Sequence, residues 1–392
     1  MSFKETLKAQ THNIRDYGMY IAFLIIVIFF TIKTDGLFIS PRNIGNLVNA
    51  TSYIAVLAVG MTLVIVIRHI DLSVGYLAGT LGAITAIALK YWELPVFATI
   101  PMVMLLGILA GMLTAFLVAN MRIPAFVATL AGWLGYRGLL QLVTRSTGTI
   151  IISNNTFNSI GNGFIPDITT TFLPDVHKVT LLLGLLAIIL FVVGEINNRK
   201  KTLAYDFDVQ PLNMFILKLA GISILIAGIT WVLAGYQGLS WAAVVLVIVV
   251  LIYSYITTKT VTGRHIYAVG GNPEAAQLNG ISVKRVTYLV FGSMGMLTAV
   301  AGMLYASWLR SATTIAGQGM ELDAIAAAFV GGVAVAGGVG KVTGSILGAL
   351  VMASLTNGMN LLGWDISIQY IVRAFVLAGA VIFDVQTRKS AK

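Results

Sequence analysis

Three acidic residues, Asp71, Glu321 and Asp323, lie at the start of long apolar stretches. A carboxylate in a membrane is costly unless it is paired, so an acid in such a position is a candidate for a functional role. The pairing of Asp71 with Arg68, for instance, could form a gate. A carboxylate, or the hydroxyl of Ser73, could equally cap a helix N-terminus. The residues alone leave both interpretations open: capping with packing, or gating with ion pairing.

A polar segment with chain-breaking residues, 262–282, separates two apolar runs. Asn272 can cap a short helix with Pro273 at its first position, and Gly280 can end that helix. The pattern predicts a short exposed helix between two membrane spans. Such a helix could dock a cytoplasmic protein or could be an ordinary connection.

The glycine-rich segment around Lys341 does not form a phosphate-binding loop. A P-loop needs Gly, four residues and then Gly-Lys-Ser/Thr, but here Val335 takes the first position and Val342 the last. The chain has no Cys, only four well-separated His, and no G-x-S-x-G or H-E-x-x-H motif. We therefore expect no ATP hydrolysis, no catalytic residue, no metal site and no cofactor in this chain.

The composition requires a membrane environment. Charged residues make up 10% and hydrophobic residues 58% of the 392 residues, whereas soluble proteins carry about 25% charged residues. This excludes a soluble enzyme, a disordered chain and a coiled coil. The net charge of +10 comes from basic residues spread between apolar runs, which fits the loops of a membrane protein better than a nucleic-acid surface.

Twelve apolar runs predict an all-α, polytopic membrane helix bundle of about 12 helices, since a span needs about 20 apolar residues. The predicted spans are 19–33, 47–67, 71–89, 96–119, 124–144, 179–196, 213–233, 241–258, 286–308, 321–337, 342–361 and 366–384. The run 321–337 is rich in Ala and Gly, so a broken or re-entrant helix is also possible there.

The distribution of Lys and Arg predicts the orientation. With a cytoplasmic N-terminus, 17 of the 25 basic residues fall inside and 6 outside, as the excess of positive charge in cytoplasmic loops requires. We expect cytoplasmic termini, 1–18 and 385–392, and a retained first span, because no cleavage-site pattern follows it. The longest outside loop, 145–178, could meet an external partner or be a solvated loop.

A weak internal repeat relates the two halves of the chain. Three residues recur at an offset of 237, namely Gly107, Gly111 and Asn120 as Gly344, Gly348 and Asn357. The matched spans run in opposite directions, as in transporters built from inverted repeats. This predicts five helices in 19–144, an inserted pair in 179–233 and five helices in 241–384, with a loop at 259–285. The alternative is chance recurrence of Gly and Ala.

Glycines four residues apart can let helices approach closely. They form three pairs: Gly75 and Gly79, Gly107 and Gly111, and Gly344 and Gly348. This spacing indicates helix packing more readily than substrate chemistry.

Several motifs, in order over roughly residues 40–384, resemble the permease subunits of bacterial monosaccharide ABC importers of the ribose, xylose and multiple-sugar kind. They are the segments 70–75, 123–131 with 136–138, 263–281, 321–327, 336–338 and 357–363. The inserted helices and the Arg68–His69 pair are similar to the longer xylose or multiple-sugar permeases rather than to the ribose type.

The resemblance implies a multi-pass permease in the inner (plasma) membrane of a bacterial cell. Such a chain forms the translocation path of an ATP-driven, binding-protein-dependent importer of xylose or several sugars and does not bind ATP itself. The implied partners are a second permease copy in a homodimer, a cytoplasmic double-cassette ATPase, a periplasmic sugar-binding protein and membrane lipid, with no nucleic acid.

The resemblance also suggests roles for individual residues. The ATPase-coupling loop would comprise Gly263, Arg264, Gly270, Gly271, Asn272, Glu274, Ala275, Ala276 and Gly280. Candidates for the translocation path or gate are Asp71, Ser73, Glu321, Asp323 and Asn357.

An ion-coupled secondary sugar transporter is the main alternative. It predicts uptake that is sensitive to uncouplers and independent of an ATPase. A channel would pass solute downhill without ATP, and a membrane-bound transferase would need a cluster of catalytic acids or His, which the sequence does not offer.

Overall fold

Fifteen α-helices and one two-stranded sheet make up the part of the chain that the computed structural model describes, residues 14–168, 175–205, 207, 209 and 211–389. The helices are α1 Ile14–Lys33, α2 Pro41–Val66, α3 Val74–Lys90, α4 Val96–Ala119, α5 Ala125–Thr144, α6 Asn155–Asn162, α7 Lys178–Ala204, α8 Leu212–Ala234, α9 Trp241–Lys259, α10 Val261–Gly271, α11 Pro273–Leu278, α12 Val283–Leu309, α13 Met320–Val330, α14 Val342–Leu361 and α15 Ile366–Lys389. Most of the predicted segment 1–18, part of the loop 145–178 and the end of 385–392 lie outside the described residues.

The prediction of an all-α membrane bundle is confirmed. In the described residues, eight helices are long and apolar enough to cross a membrane: α2, α4, α5, α7, α8, α9, α12 and α14. Three shorter apolar helices add to them, over Gly18–Lys33, Val74–Lys90 and Ile366–Ile382.

The run 321–337 is a broken helix, one of the two possibilities for this segment. Helix α13 has 11 residues, and at 1.5 Å per residue it covers about 17 Å of a hydrocarbon core of about 30 Å. The chain then continues without helix through 331–341, where Gly332, Gly337 and Gly338 have positive φ angles. These left-handed conformations, which glycine adopts without strain, end the helix.

Helices α2 and α12 form the centre of the bundle. The most apolar 18-residue stretch of α2 is 78% buried and that of α12 is 72% buried, against 11% for α7 and 6% for α8. Phe291, Met294 and Leu297 of α12 share one buried cluster with Leu57 and Met61 of α2. These two helices therefore provide the surfaces on which the others pack.

The three glycine pairs lie where helices approach each other most closely. A Cβ atom at any of the six would collide with a neighbouring backbone. The obstructing atoms are the carbonyl oxygens of Gly317 for Gly75, Ala316 for Gly79, Gly295 for Gly107, Phe291 for Gly111, Gly331 for Gly344 and Ala327 for Gly348. Because lipid is as apolar as Leu, such van der Waals contact is a main source of helix association in membranes.

Helices α7 and α8, predicted as an inserted pair, pack chiefly on each other at the edge of the bundle, and α8 also contacts α2. Lys218 Nζ donates to Glu195 Oε2 over 2.7 Å, and the Arg199 guanidinium lies 4.8 Å from the Phe215 ring centroid. The pair leaves most of its apolar surface exposed, as helices that face lipid do.

The loop after α5 is folded against the end of α12. Strand β1, Thr149–Ile151, pairs antiparallel with strand β2, Ser311–Thr313. Ser307 Oγ accepts from Gly161 N over 2.7 Å and donates to the carbonyl oxygen of Phe157 over 2.8 Å, which attaches α6 to α12. These contacts make this part of 145–178 an ordered cap on one end of the bundle.

Close packing of α4 on α12 gives a first prediction. We expect Gly111→Ala to lower the unfolding temperature in detergent by several degrees, because the new methyl group meets the Phe291 carbonyl and overpacking costs about 1–3 kcal/mol. The matched control is Gly194→Ala on α7, where no atom lies within 4 Å of the added carbon. The control should be neutral or slightly stabilising, since Ala favours a helix over Gly. Equal unfolding temperatures for the two variants would contradict this account of the packing.

Candidate functional site

A short helical element lies at one end of the bundle, between α9 and α12. Thr260 Oγ1 accepts from Gly263 N over 3.2 Å and so caps α10. Asn272 Oδ1 accepts from Ala275 N over 3.0 Å and caps α11, which has Pro273 at its first position. Gly280 has φ +80° just after α11. The local chemistry of this segment therefore produces two consecutive capped helices.

Arg68 attaches this element to the end of α2. Its Nε atom donates to the Gly270 carbonyl over 2.7 Å, and its Nη2 atom donates to the Gly271 carbonyl. The last carbonyls of a helix have no intrahelical partner and carry partial negative charge, so a guanidinium is well suited to them. In addition, Gly338 N donates to the Val66 carbonyl over 2.8 Å. We call the two hydrogen bonds of Arg68 to the Gly270 and Gly271 carbonyls the Arg68 clamp.

Arg68 therefore does not pair with Asp71, which was one of the possibilities left open for these residues. The guanidinium is engaged by α10, because Arg68 has φ +67° and the chain turns sharply after α2. Asp71 instead accepts two hydrogen bonds from Ser73, from the backbone N over 2.9 Å and from Oγ over 2.6 Å.

Tyr267 connects α10 to the non-helical segment 331–341. Its hydroxyl donates to the Gly340 carbonyl over 2.6 Å. Burial raises the pKa of Tyr267, so the phenol remains protonated and able to donate at physiological pH. Helix α10 thus contacts both the end of α2 and the connection that leads to α14.

The residues expected to couple to the ATPase divide into buried and exposed groups. Gly263, Gly270 and Ala276 are buried, and they let α10 and α11 pack closely on the bundle. The exposed members are Arg264, Gly271, Asn272, Glu274 and Gly280. Beside them Leu278, which the sequence did not single out, is 89% exposed. Val261 at the start of α10 is also exposed, so the outer surface presents charges together with apolar side chains.

A second polar region lies where the N-termini of α3 and α13 meet. Glu321 Oε1 accepts from Trp133 Nε1 over 2.9 Å, and its other oxygen lies against Gly75. Ser73 occupies the N-cap position of α3, but its hydroxyl donates to Asp71 and makes no capping hydrogen bond. Capping by Ser73 was one of the two possibilities, and the structure does not have it.

A cavity of about 440 Å³ lies among α2, α12, α13, α14 and α15. Its volume falls within the range of about 300–1,000 Å³ that is usual for small-molecule sites. Polar and aromatic residues contribute much of the lining, among them Asn46, Tyr53, Trp308, Asp323, Asn357, Asn360 and Arg373. We call it the central cavity.

An ion pair occupies one side of the central cavity. Arg373 Nη1 lies 3.3 Å from Asp323 Oδ1, and both side chains are mostly buried. Arg373 Nε also donates to Thr356 Oγ1 over 3.2 Å. The two charges therefore compensate each other where an unpaired charge would be costly.

Aromatic rings and amides form further parts of this wall. The Tyr53 ring centroid lies 5.1 Å from that of Tyr305 and 6.0 Å from that of Trp308. Asn357 exchanges two hydrogen bonds with Asn43, over 2.8 and 3.0 Å. The cavity thus combines flat apolar surfaces with hydrogen-bonding groups.

The central cavity gathers two of the five residues proposed for the path or gate, Asp323 and Asn357. Asp71, Ser73 and Glu321 lie instead around the start of α3. The residues that sequence reasoning missed are Asn46, Tyr53, Trp308, Asn360 and Arg373. Asn357 and Asn360, one turn apart in an apolar run, were a visible signal, whereas a Tyr or Trp in a membrane span carried none.

The ion pair leads to a second prediction, on stability. We expect Arg373→Gln and Asp323→Asn each to destabilise the protein in detergent, and the double variant to lose less than the sum, with a coupling of about 1–2 kcal/mol because water still reaches part of both groups. A double-mutant cycle of unfolding measures this coupling. The pair Lys218 and Glu195, whose Lys side chain is 41% exposed against 21% for Arg373, is the control, removed by Lys218→Gln and Glu195→Gln, and should show a smaller coupling. Additive effects at Asp323 and Arg373 would refute the pairing.

Known proteins resemble this chain along nearly its whole length. Residues 43–381 match the family described as branched-chain amino acid transport system / permease component. A xylose transport system permease protein of Haemophilus influenzae is 38% identical over 382 residues, 97% of this chain and 99% of the relative. The protein of the same name from Escherichia coli K12 is 36% identical over 377 residues, 96% and 93% of the two chains.

A ribose import permease protein of Haemophilus influenzae is 34% identical over 364 residues, which cover 92% of this chain and 90% of the relative. No solved structure matches the chain. The match to the family includes the α10–α11 element, the region where α3 and α13 begin, and the lining of the central cavity. This chain is therefore a multi-pass membrane protein and belongs to the family of transport-system permease components.

Proposed function

We propose that the chain is the membrane-spanning permease subunit of an ATP-driven, binding-protein-dependent importer of monosaccharides, of xylose or of several sugars. The observation that carries this proposal is the near-full-length similarity to xylose transport permeases. The similarity to a ribose import permease places the same chemical class of cargo in a second relative. It gives no support to the ion-coupled alternative.

The energy for transport comes from a partner chain. Because the segment before Lys341 does not fulfil the P-loop pattern, this subunit does not hydrolyse ATP and has no catalytic role. A cytoplasmic ATPase with two nucleotide-binding cassettes docks on the exposed face of α10 and α11, where Arg264, Glu274 and Leu278 are accessible. The Arg68 clamp then passes the movement of this face to α2.

The α10–α11 end of the bundle faces the cytoplasm, and the end with β1 and β2 faces the periplasm. This orientation follows the excess of Lys and Arg in the loops and puts both termini in the cytoplasm and the protein in the inner membrane. A periplasmic sugar-binding protein delivers its cargo at the β1–β2 end. Trp308 and Asn360, near the ends of α12 and α14, put the central cavity towards this side.

The two halves of the chain form an inverted repeat, with α7 and α8 as an insertion. In each half a long buried helix, α2 or α12, is followed by a shorter one, α3 or α13. The starts of the two shorter helices lie together, with Gly75 against Glu321. This arrangement is the one expected when an alternating-access path forms at the interface of two repeats.

A second copy of the permease covers the exposed face of α5. Arg137 is exposed there and lies 5.5 Å from the Trp133 ring and 5.8 Å from the Tyr76 ring. An arginine facing lipid is costly. Gly135 and Gly138 have open space in front of them, so a neighbouring helix could approach closely. These features support a homodimer through α5.

The coupling role of α11 gives a third prediction. We expect Glu274→Arg to weaken ATPase binding by about tenfold or more and to abolish coupled uptake, since a reversed charge in an interface opposes the partner's surface. Gly271→Pro should have the same effect by removing a backbone donor and changing the turn into α11. Co-purification of the ATPase and uptake into proteoliposomes are the measurements.

The matched control for the third prediction is Glu93→Arg, an equally exposed reversal in the connection between α3 and α4. It should leave ATPase binding unchanged, and all variants should insert and fold normally. Uptake at the normal rate with Glu274→Arg would remove α11 from the coupling site.

A fourth prediction tests the transporter class. Proteoliposomes that contain the permease, the ATPase and the sugar-binding protein should accumulate xylose or another monosaccharide only with ATP, and uncouplers should not reduce the rate. The permease alone should show no ATPase activity. Accumulation by the permease alone without nucleotide, or its collapse on adding an uncoupler, would favour an ion-coupled transporter instead.

A further inference from the structure

We infer that the central cavity is a monosaccharide-binding site of the permease itself, which selects the cargo after the binding protein has released it. This inference rests on the proposed function, because it names the site at which that importer would hold its sugar. The residues of this chain that line it come from α2, α12, α13, α14 and α15.

The aromatic wall supplies a surface for the sugar ring. Tyr53 and Trp308 line the cavity with their rings 6.0 Å apart, and Tyr305 supports Tyr53 from behind at 5.1 Å. One face of a pyranose carries several C–H bonds and packs well on a flat aromatic ring. Tyr and Trp also bring a polar group with their apolar body, which suits a ligand that is apolar on its faces and polar at its edge.

The hydroxyl groups of a sugar need hydrogen-bond partners. The ion pair and the amides in the cavity provide them. A carboxylate has about four acceptor positions and a guanidinium five donors, more than the contact between Asp323 and Arg373 uses. The Asn46 amide adds donors and an acceptor along the same lining, and the Asn360 amide adds donors, since its Oδ1 already accepts from Gln369 Nε2 over 2.7 Å. A sugar hydroxyl both donates and accepts, so it can bind to either kind of group.

The charge arrangement favours a neutral sugar over an amino acid, the cargo in the description of the matched family. Asp323 and Arg373 already compensate each other over 3.3 Å, so a zwitterionic amino acid would lose the hydration of its own two charges without meeting an unpaired charge of the protein. A neutral polyol instead adds hydrogen bonds to the intact pair.

The site also lies on the helix that the ATPase would move. Asn46 and Tyr53 belong to the first half of α2, and the Arg68 clamp holds the other end of that helix against α10. A displacement of α2 would therefore change the cavity wall directly, which would release the bound sugar at the moment of coupling.

The test is equilibrium binding of radiolabelled xylose to the permease–ATPase complex in nanodiscs, combined with uptake kinetics of the complete importer. We expect saturable binding of xylose. Added ribose should compete for the same site, and added leucine should not reduce the binding. Trp308→Ala, Asp323→Asn and Asn46→Leu should each weaken binding by about tenfold and raise the KM for uptake more than they lower kcat.

Trp364→Phe is the matched control, since Trp364 lies in the connection between α14 and α15 and is not part of the cavity lining. It should leave binding and KM unchanged. Asn46→Leu keeps the size of the side chain and changes no charge. It therefore guards against a variant that fails to fold.

The outcomes separate the site from the transporter function. ATP-driven sugar uptake with unchanged KM and sugar preference in all three cavity variants would overturn the site and leave the proposed function intact. Absence of saturable xylose binding, or its displacement by leucine, would also overturn the site. Absence of ATP-driven uptake by the unmodified importer would instead refute the proposed function.

Discussion

Direct contact between helix backbones is the constraint on which the rest of the structure depends. Around α12 the carbonyls of Phe291 and Gly295 lie where side chains at Gly111 and Gly107 would have to be. Burial in lipid gives little reason for one apolar helix to prefer another, so shape and close contact must select the partners. Once α4, α3 and α2 are packed on α12, the positions of the polar groups that they carry are also determined.

This packing places the Arg68 clamp and the central cavity at opposite ends of helix α2. Helix α2 is 26 residues long, about 39 Å at 1.5 Å per residue. The Arg68 clamp follows its last turn, and Asn46 and Tyr53 lie towards its beginning. A largely buried helix therefore connects the exposed α10–α11 element to the cavity, as the proposed coupling between ATPase and sugar requires.

Local sequence predicted the features whose cause is local. The cap at Asn272, the start of α11 at Pro273 and the membrane spans depend on residues a few positions apart. The glycine pairs indicated close packing, but which helix each would meet was not contained in their spacing. The partner of Arg68 was left open for the same reason, since Asp71 is near in sequence while Gly270 is about 200 residues away.

The sequence by itself determined that the chain spans a membrane, where most of its membrane helices lie and which segment contains the short exposed helix α11. Those properties follow from apolar length, charge and capping chemistry within a single stretch of chain. Only the tertiary structure decided that Asp323 pairs with Arg373, and that Tyr53 and Trp308 share a cavity with them while Asp71 and Glu321 do not. The reason is physical: a site between helices is made by side chains from α2 to α15, and their approach depends on packing that no single helix encodes.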